Sequence, residues 1–497
     1  MPLSVYSYAH SVLLSSLAAM ICVGCIDPES PQFLDGATPT PDLGAIDGGP
    51  LTADVQVIDA GTPDAVVRSD GSLVGEDDAF ELPEADAGLD AEVADAFSLP
   101  DASPPGSLFA GGEGTLESPY LITTTEHLHN VRCRPAAHFI LGADLTFAEG
   151  ERFVPIGGEL AAGPDCSDTI FRGQLSGAGH IICGLDLTWP DAEVPVGLFS
   201  RVDGADISQL SLVGVTVRAG DTPAGTLIGE SASFPQREAF LADVSVSGTV
   251  ITNGPAGGLV GAGEYITFSQ TSFSGRISAR GPLGGIAGRL ENAFLTDVQV
   301  LGERINAAIV EGAVAQPVGG LVGELRGTSA ISRFTVYVEQ LRGEQYVGGA
   351  VGRVSTDLTL SEGYTSGVLE AAGLETGFLG GLVGHHQMSQ GLVDVFSTMD
   401  ISAATPRASV GKIVGGHDGE LTLTRAYFEV NDPNDLCVGP GYEVPASCVA
   451  IDGDAQYFKS VGNPPMSFWA RNFWTFFLEQ LPALNSTGPP PTGACDR

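Results

Sequence analysis

Hydrophobic positions fall in short aliphatic runs bounded by glycine, and the runs recur. From about Gly197 they are Gly197-Leu198-Phe199-Ser200, Thr226-Leu227-Ile228-Gly229, Gly258-Leu259-Val260-Gly261 and Gly285-Ile286-Ala287-Gly288. Gly320-Leu321-Val322-Gly323, Gly349-Ala350-Val351-Gly352, Gly381-Leu382-Val383-Gly384 and Lys412-Ile413-Val414-Gly415 follow. Their last positions lie 29, 32, 27, 35, 29, 32 and 31 residues apart. Each run precedes a segment rich in β-formers, such as Val244-Ser245-Val246-Ser247-Gly248-Thr249-Val250 or Tyr364-Thr365-Ser366-Gly367-Val368-Leu369. Helical periodicity is weak, so these segments predict strands. A fixed period near thirty residues with short strands and glycine corners predicts an all-β parallel β-helix solenoid of about eight coils. Propeller blades need longer units of four strands, which fits less well. Leu198, Leu227, Leu259, Ile286, Leu321, Ala350, Leu382 and Ile413 should form one interior column. The glycines at 257–258, 284–285, 319–320, 348–349 and 380–381 should sit at a corner where a Cβ would clash or φ must be positive.

The first 25 residues differ. Ser11 to Val23 is apolar, long enough for a secretion signal and too short to span a bilayer. It ends in Cys22-Val23-Gly24-Cys25, which resembles the lipobox of bacterial lipoproteins. That resemblance implies acylation of Cys25, which would become the first mature residue. Cys22 stands where leucine is usual, and an ordinary cleaved signal is the alternative. Residues 26–107 are rich in Asp, Ala, Pro and Gly, with Arg68 their one basic residue, and hold nearly half of the chain's net charge of −39. Like-charge repulsion and proline predict an extended, disordered tether. So acidic a chain has no general basic surface for nucleic acid.

The repeats resemble the GLUG motif of bacterial surface proteins. Gly114-Thr115-Leu116-Glu117-Ser118-Pro119-Tyr120-Leu121-Ile122 is similar to the entry segment of such proteins, and Phe171-Arg172-Gly173-Gln174-Leu175-Ser176-Gly177-Ala178-Gly179-His180-Ile181-Ile182 to their first coil. Phe473-Trp474 followed by Leu481-Pro482-Ala483-Leu484 is similar to their closing segment. The resemblance covers about residues 108–486. It implies surface recognition without chemistry, because the family is associated with adhesins and with non-catalytic regions of IgA-specific metallopeptidases. The expected organisation is a lipoprotein signal at 1–25, a linker at 26–107, a cap and first coil at 108–196, a repeat solenoid at 197–430 and a C-terminal cap at 431–497.

Solenoid ends need covers. Thr123 as N-cap with Glu126 at N3 predicts a short capping helix through about Val131. Phe468, Trp469, Phe473, Trp474, Phe476 and Phe477 read as an apolar plug over the last coil, or alternatively as a carbohydrate-stacking patch. Cys133, Cys166, Cys183, Cys437, Cys448 and Cys495 form an even set, which suggests disulfides in an exported chain. Cys437 with Cys448 is the best pair. Cys133 could meet Cys166 or Cys183, and Cys495 takes the remaining one or stays free.

Candidate chemistry is sparse. No HExxH, GxSxG or Walker A motif occurs. His127, His129, Cys133 and His138 match no common zinc spacing and read as cap-packing residues. One position past the motif ends, Arg289, Glu324 and Arg353 would form an alternating charge ladder. Two positions past, His386 would lie above His417 near Asp418, as a solvated pair at a turn or, alternatively, a metal or catalytic pair. Asp452-Gly453-Asp454 is a weak Ca²⁺ candidate. No cofactor and no catalytic residue is expected. The expected function is a lipid-anchored binding or adhesion scaffold at the outer membrane or cell surface, with a glycan or protein ligand. Gly302 to Pro317, the longest insertion, is the first place to look for contacts. The alternatives are a carbohydrate-active β-helix enzyme (a polysaccharide lyase or glycoside hydrolase) and a purely structural envelope protein.

Overall fold

The computed structural model describes residues 107–161, 166–308, 315–372, 377–454, 456–485 and Cys495. The signal segment, Cys25 and the linker up to residue 106 lie outside the described residues. So do residues 309–314 of the insertion.

Among the described residues, successive repeats stack as parallel rungs. Leu259 N donates to Ile286 O at 3.0 Å, Ile286 N to Leu321 O at 2.8 Å, and Leu321 N to Ala350 O at 2.8 Å. The expected interior column is therefore real, and all eight members are fully buried. Burial of each leucine or isoleucine in it contributes roughly 1.5–3 kcal/mol against its exposed state, and Ala350 less. The chain is a parallel β-solenoid.

One coil shows the plan. The strand Val260–Ala279 bends at Tyr265 and again at Gln270, where φ is 47° and 54°. A first face thus runs over 260–263, a second over 266–269 and a third from Thr271 to Ala279. The short strand Leu283–Gly284 then leads to the glycine corner. The corner glycines at 258, 285, 320, 349 and 381 do not have positive φ. Close approach demands them instead. A Cβ on Gly320 would strike the Gly349 carbonyl of the next rung and lie 2.6 Å from Val336 Cγ1 of the third face.

The ladder extends beyond the eight repeats. Tyr120–Ile122, His138–Leu141 and Gln174–Ser176 are consecutive rungs that lead into Asp206–Ala219. At the far end Ile413 N donates to Cys437 O at 2.9 Å, and Ala426 pairs with Cys448. A partial further coil, crossed by the Cys437–Cys448 disulfide, therefore follows the last repeat. The other disulfides join Cys133 to Cys166 and Cys183 to Cys495.

Three expectations need correction. The short helix is Thr125–Asn130, and its N-cap is Thr124, whose hydroxyl accepts from His127 N at 3.2 Å. The cap therefore sits one residue later than Thr123. Of the presumed insertion from Gly302, residues up to Ala307 still belong to a strand, Ala287–Ala307. The aromatic C-terminal segment does not plug the last coil. It lies along the flank of the solenoid, as described below.

Candidate binding surface

Side chains facing outward form straight columns, because parallel rungs repeat the same position about every 4.8 Å. The charge ladder expected from the register exists as a column: Arg289 pairs in register with Glu324, and Glu324 with Arg353. Its ion pairs are more local than a simple alternation. Glu324 takes Arg326 at 2.9 Å, two residues along its own strand. Arg201 and Glu230 pair across rungs at 3.2 Å. Arg353 lies over the Tyr346 ring at 5.2 Å.

His386 and His417 do stack in register, with ring centroids 5.2 Å apart and planes 8° from parallel. They are not at a solvated turn. They continue the inward column of Leu290, Leu325 and Val354, and His386 is fully buried. His386 Nδ1 lies 2.9 Å from Met388 O, and His417 Nδ1 lies 2.8 Å from Gly419 O. A carbonyl only accepts, so each Nδ1 carries a proton and is committed to the backbone. The two rings lie in nearly parallel planes, side by side, and so do not converge on one metal position. Asp418 faces the neighbouring His385, with Oδ2 3.7 Å from Nε2.

Burial pushes the His386 imidazole down to about 4. The folded chain therefore holds it neutral, while the unfolded chain takes up the proton near the ordinary value of 6.5. As pH falls through that window, the unfolded state binds more protons and stability declines; below about 4 this group adds no further loss. The full effect is about 3 kcal/mol. His386→Leu, which continues the aliphatic column, should flatten the stability profile between pH 6.5 and 4 in denaturant titrations. A profile as steep as that of the parent chain would contradict the buried, neutral assignment.

The corner between the second and third faces is not foreseen from residue spacing. Gln209, Asp243, Gln270, Asp297, Arg333, Glu362, Asp394 and Arg425 occupy it rung by rung, all with φ between 50° and 56°. Arg333 grips Asp297 with two hydrogen bonds of 2.7 and 2.9 Å. Arg425 grips Asp394 likewise, Nη2 to Oδ2 at 2.6 Å. Between the two pairs Glu362 is raised by burial, with Arg333 opposing that shift and Asp394 adding to it. This is a carboxylate-rich corner, but the C-terminal segment covers it. Phe473 lies over Arg333 at 4.2 Å and Phe468 over Arg425 at 4.6 Å. Trp469 Nε1 donates to Asp394 O at 3.0 Å.

The same segment buries an outward aromatic column on the third face, Tyr364, Phe396 and Tyr427. Phe458, Met466, Trp469, Trp474 and Leu484 close over it and form a second apolar cluster apart from the interior core. The Trp469 and Trp474 rings stack at 4.2 Å, and Tyr364 Oη donates to Pro482 O at 2.8 Å. Phe468 and Phe477 remain about half exposed.

The remaining candidates disperse. Cys133 is in a disulfide, His129 stacks on Phe153 at 4.3 Å, and His138 Nδ1 meets Gln174 Oε1 at 2.8 Å. Asp452 and Asp454 lie on an exposed turn, where Asp454 Oδ1 accepts from Gln456 N at 3.1 Å.

No family description matches the chain. A stretch of 135 residues, 25% of this chain, is 34% identical to a "Putative Gly-rich membrane protein" of Evansella cellulosilytica. The match covers 15% of that relative's length. Among solved structures, the chain is similar to a "putative immunoglobulin A1 protease" from Bacteroides ovatus, at 15% identity and TM-score 0.39 over 77% of this chain and 97% of that one. A structure described as "IgA1 Protease" is similar at 17% identity and TM-score 0.35, over 66% of this chain and 21% of that one.

Proposed function

We propose that the chain is an exported scaffold, held to the cell envelope through a lipid on Cys25, which binds a surface ligand along the flanks of its solenoid without turning it over. The observation that carries this reading is the outward surface. Its columns run in register over many rungs, and several of its charges are paired with neighbours: Arg201 with Glu230, Arg333 with Asp297, and Arg425 with Asp394. Among the corner carboxylates, Asp394 is buried and Glu362 half-buried, and the C-terminal segment packs beside them, with Trp469 on the Asp394 carbonyl. The acidic stretch before residue 107 supplies reach away from a membrane.

Two measurements test the proposal. Cys25→Ser should abolish acyl labelling and move the protein from the membrane fraction to the soluble fraction, since acyl chains supply the anchoring free energy. An unchanged membrane fraction would remove the lipid anchor. Purified protein should bind ligands on a glycan or cell-surface array and release no product from a polysaccharide panel. Turnover abolished by a single Asp or Glu substitution would make it an enzyme.

A further inference from the structure

The second face carries little charge on its outward side. Its outward positions form two columns over nine rungs, one from Gln174 to Thr422 and one from Ser176 to Thr424. Asp206 is the one ionisable residue in either column. Most of the others are Ser, Thr or Ala. Thr296 Oγ1 and Ser332 Oγ on consecutive rungs lie 3.1 Å apart. Two large rings stand on this floor: Phe240 is 46% exposed and Phe294 is 43% exposed. They share a column with Thr267 between them, so they are two rungs apart. At the N-terminal end the floor continues into a cavity of about 220 Å³ lined by Leu116, Pro119, His138, Gln174, Asp206 and Ser208, among others.

Deepening the scaffold reading, on which this rests, we propose that the second face binds a neutral, extended β-1,4-linked polysaccharide lying along the solenoid axis. Charge argues for the neutral ligand. The whole chain carries −39 and the floor offers no cation to a carboxylate or sulfate, so polyanions are repelled. Spacing argues for the linkage. Two rungs place Phe240 and Phe294 about 10 Å apart, close to the distance over which a β-1,4-linked chain presents the same sugar face again. Each ring can therefore stack under every second sugar, and the serine and threonine hydroxyls between them meet sugar hydroxyls. Flanking this floor, the corner side chains Gln209, Asp243 and Gln270 are exposed and supply further donors and acceptors.

The test uses the full chain with swollen cellulose and chitin particles as probes, and pectate and heparin as anionic comparators. The parent protein should be retained on at least one neutral particle, with little change on added salt. Phe240→Ala combined with Phe294→Ala should weaken retention about tenfold or more. Both rings are nearly half exposed, so the thermal melt should stay in place. Phe234→Ala removes an exposed ring on a turn off this face and should change nothing. Equal retention of the double variant, or binding to the anionic polymers alone, would overturn the assignment. Array binding without retention on neutral particles would defeat this face and leave the scaffold reading intact. No binding in either format would defeat both.

Discussion

Gly320→Val should unravel the middle of the solenoid. The added Cβ meets the Gly349 carbonyl on one side and Val336 on the other, so neither backbone nor core can yield cheaply. Overpacking a close-packed interior typically costs 1–3 kcal/mol. A collision with backbone exceeds that, and about 4 kcal/mol is expected. A repeat solenoid need not unfold all at once. The loss should therefore appear as amide hydrogen exchange spreading from the coils at Gly320 to their neighbours. Gly391→Ala is the matched comparison: nothing lies within 4 Å of a Cβ there and φ is not positive, so stability should hold or rise by a few tenths of a kcal/mol. If Gly320→Val proves as stable as Gly391→Ala, the corner is not close-packed.

That contrast explains what could be read in advance. The corner glycines and the column from Leu198 to Ile413 were legible because one geometric demand, a near-contact of two walls, admits one residue type at a fixed period. Cys437 and Cys448 were legible through proximity in the chain. The corner from Gln209 to Arg425 was not. Its backbone is left-handed at every rung, yet it is filled by glutamine, aspartate, glutamate and arginine in turn, so no single residue type marks it. The His386–His417 stack was placed correctly in register and wrongly in exposure. The period locates a rung neighbour, whereas which side faces inward depends on the bends at the corners.

Direction was the missing information for the aromatic C-terminus as well. An apolar cluster after the last repeat fits an end cover or a flank cover equally well in composition. One signal does separate them. Tyr364, Phe396 and Tyr427 lie 32 and 31 residues apart, the repeat period, at the position where earlier coils carry Ser211, Ser245 and Ser272. Outward serines giving way to outward aromatics in the last coils announce that something apolar will lie alongside them.

Trp469→Ala should detach that cover and leave the solenoid standing. The ring is 3% exposed, stacks on Trp474 at 4.2 Å and hydrogen-bonds to the Asp394 carbonyl. Truncating so large a buried side chain costs about 3–5 kcal/mol. The loss falls on the flank cluster, which is separate from the interior core, so two transitions should replace one. Residues 456–485 should become protease-sensitive under conditions where coils 197–430 stay protected, and a dye for exposed apolar surface should bind the uncovered column of Tyr364, Phe396 and Tyr427. Phe468→Ala is the milder counterpart. That ring is 58% exposed and its main contact is Arg425 beneath it, so a loss of about 0.5–1 kcal/mol without detachment is expected. If Trp469→Ala left the segment protease-resistant, the tryptophan would not be its anchor. If the inner coils melted together with it, flank and core would form one cooperative unit, and the cover would be as much a part of the solenoid's stability as its leucine column.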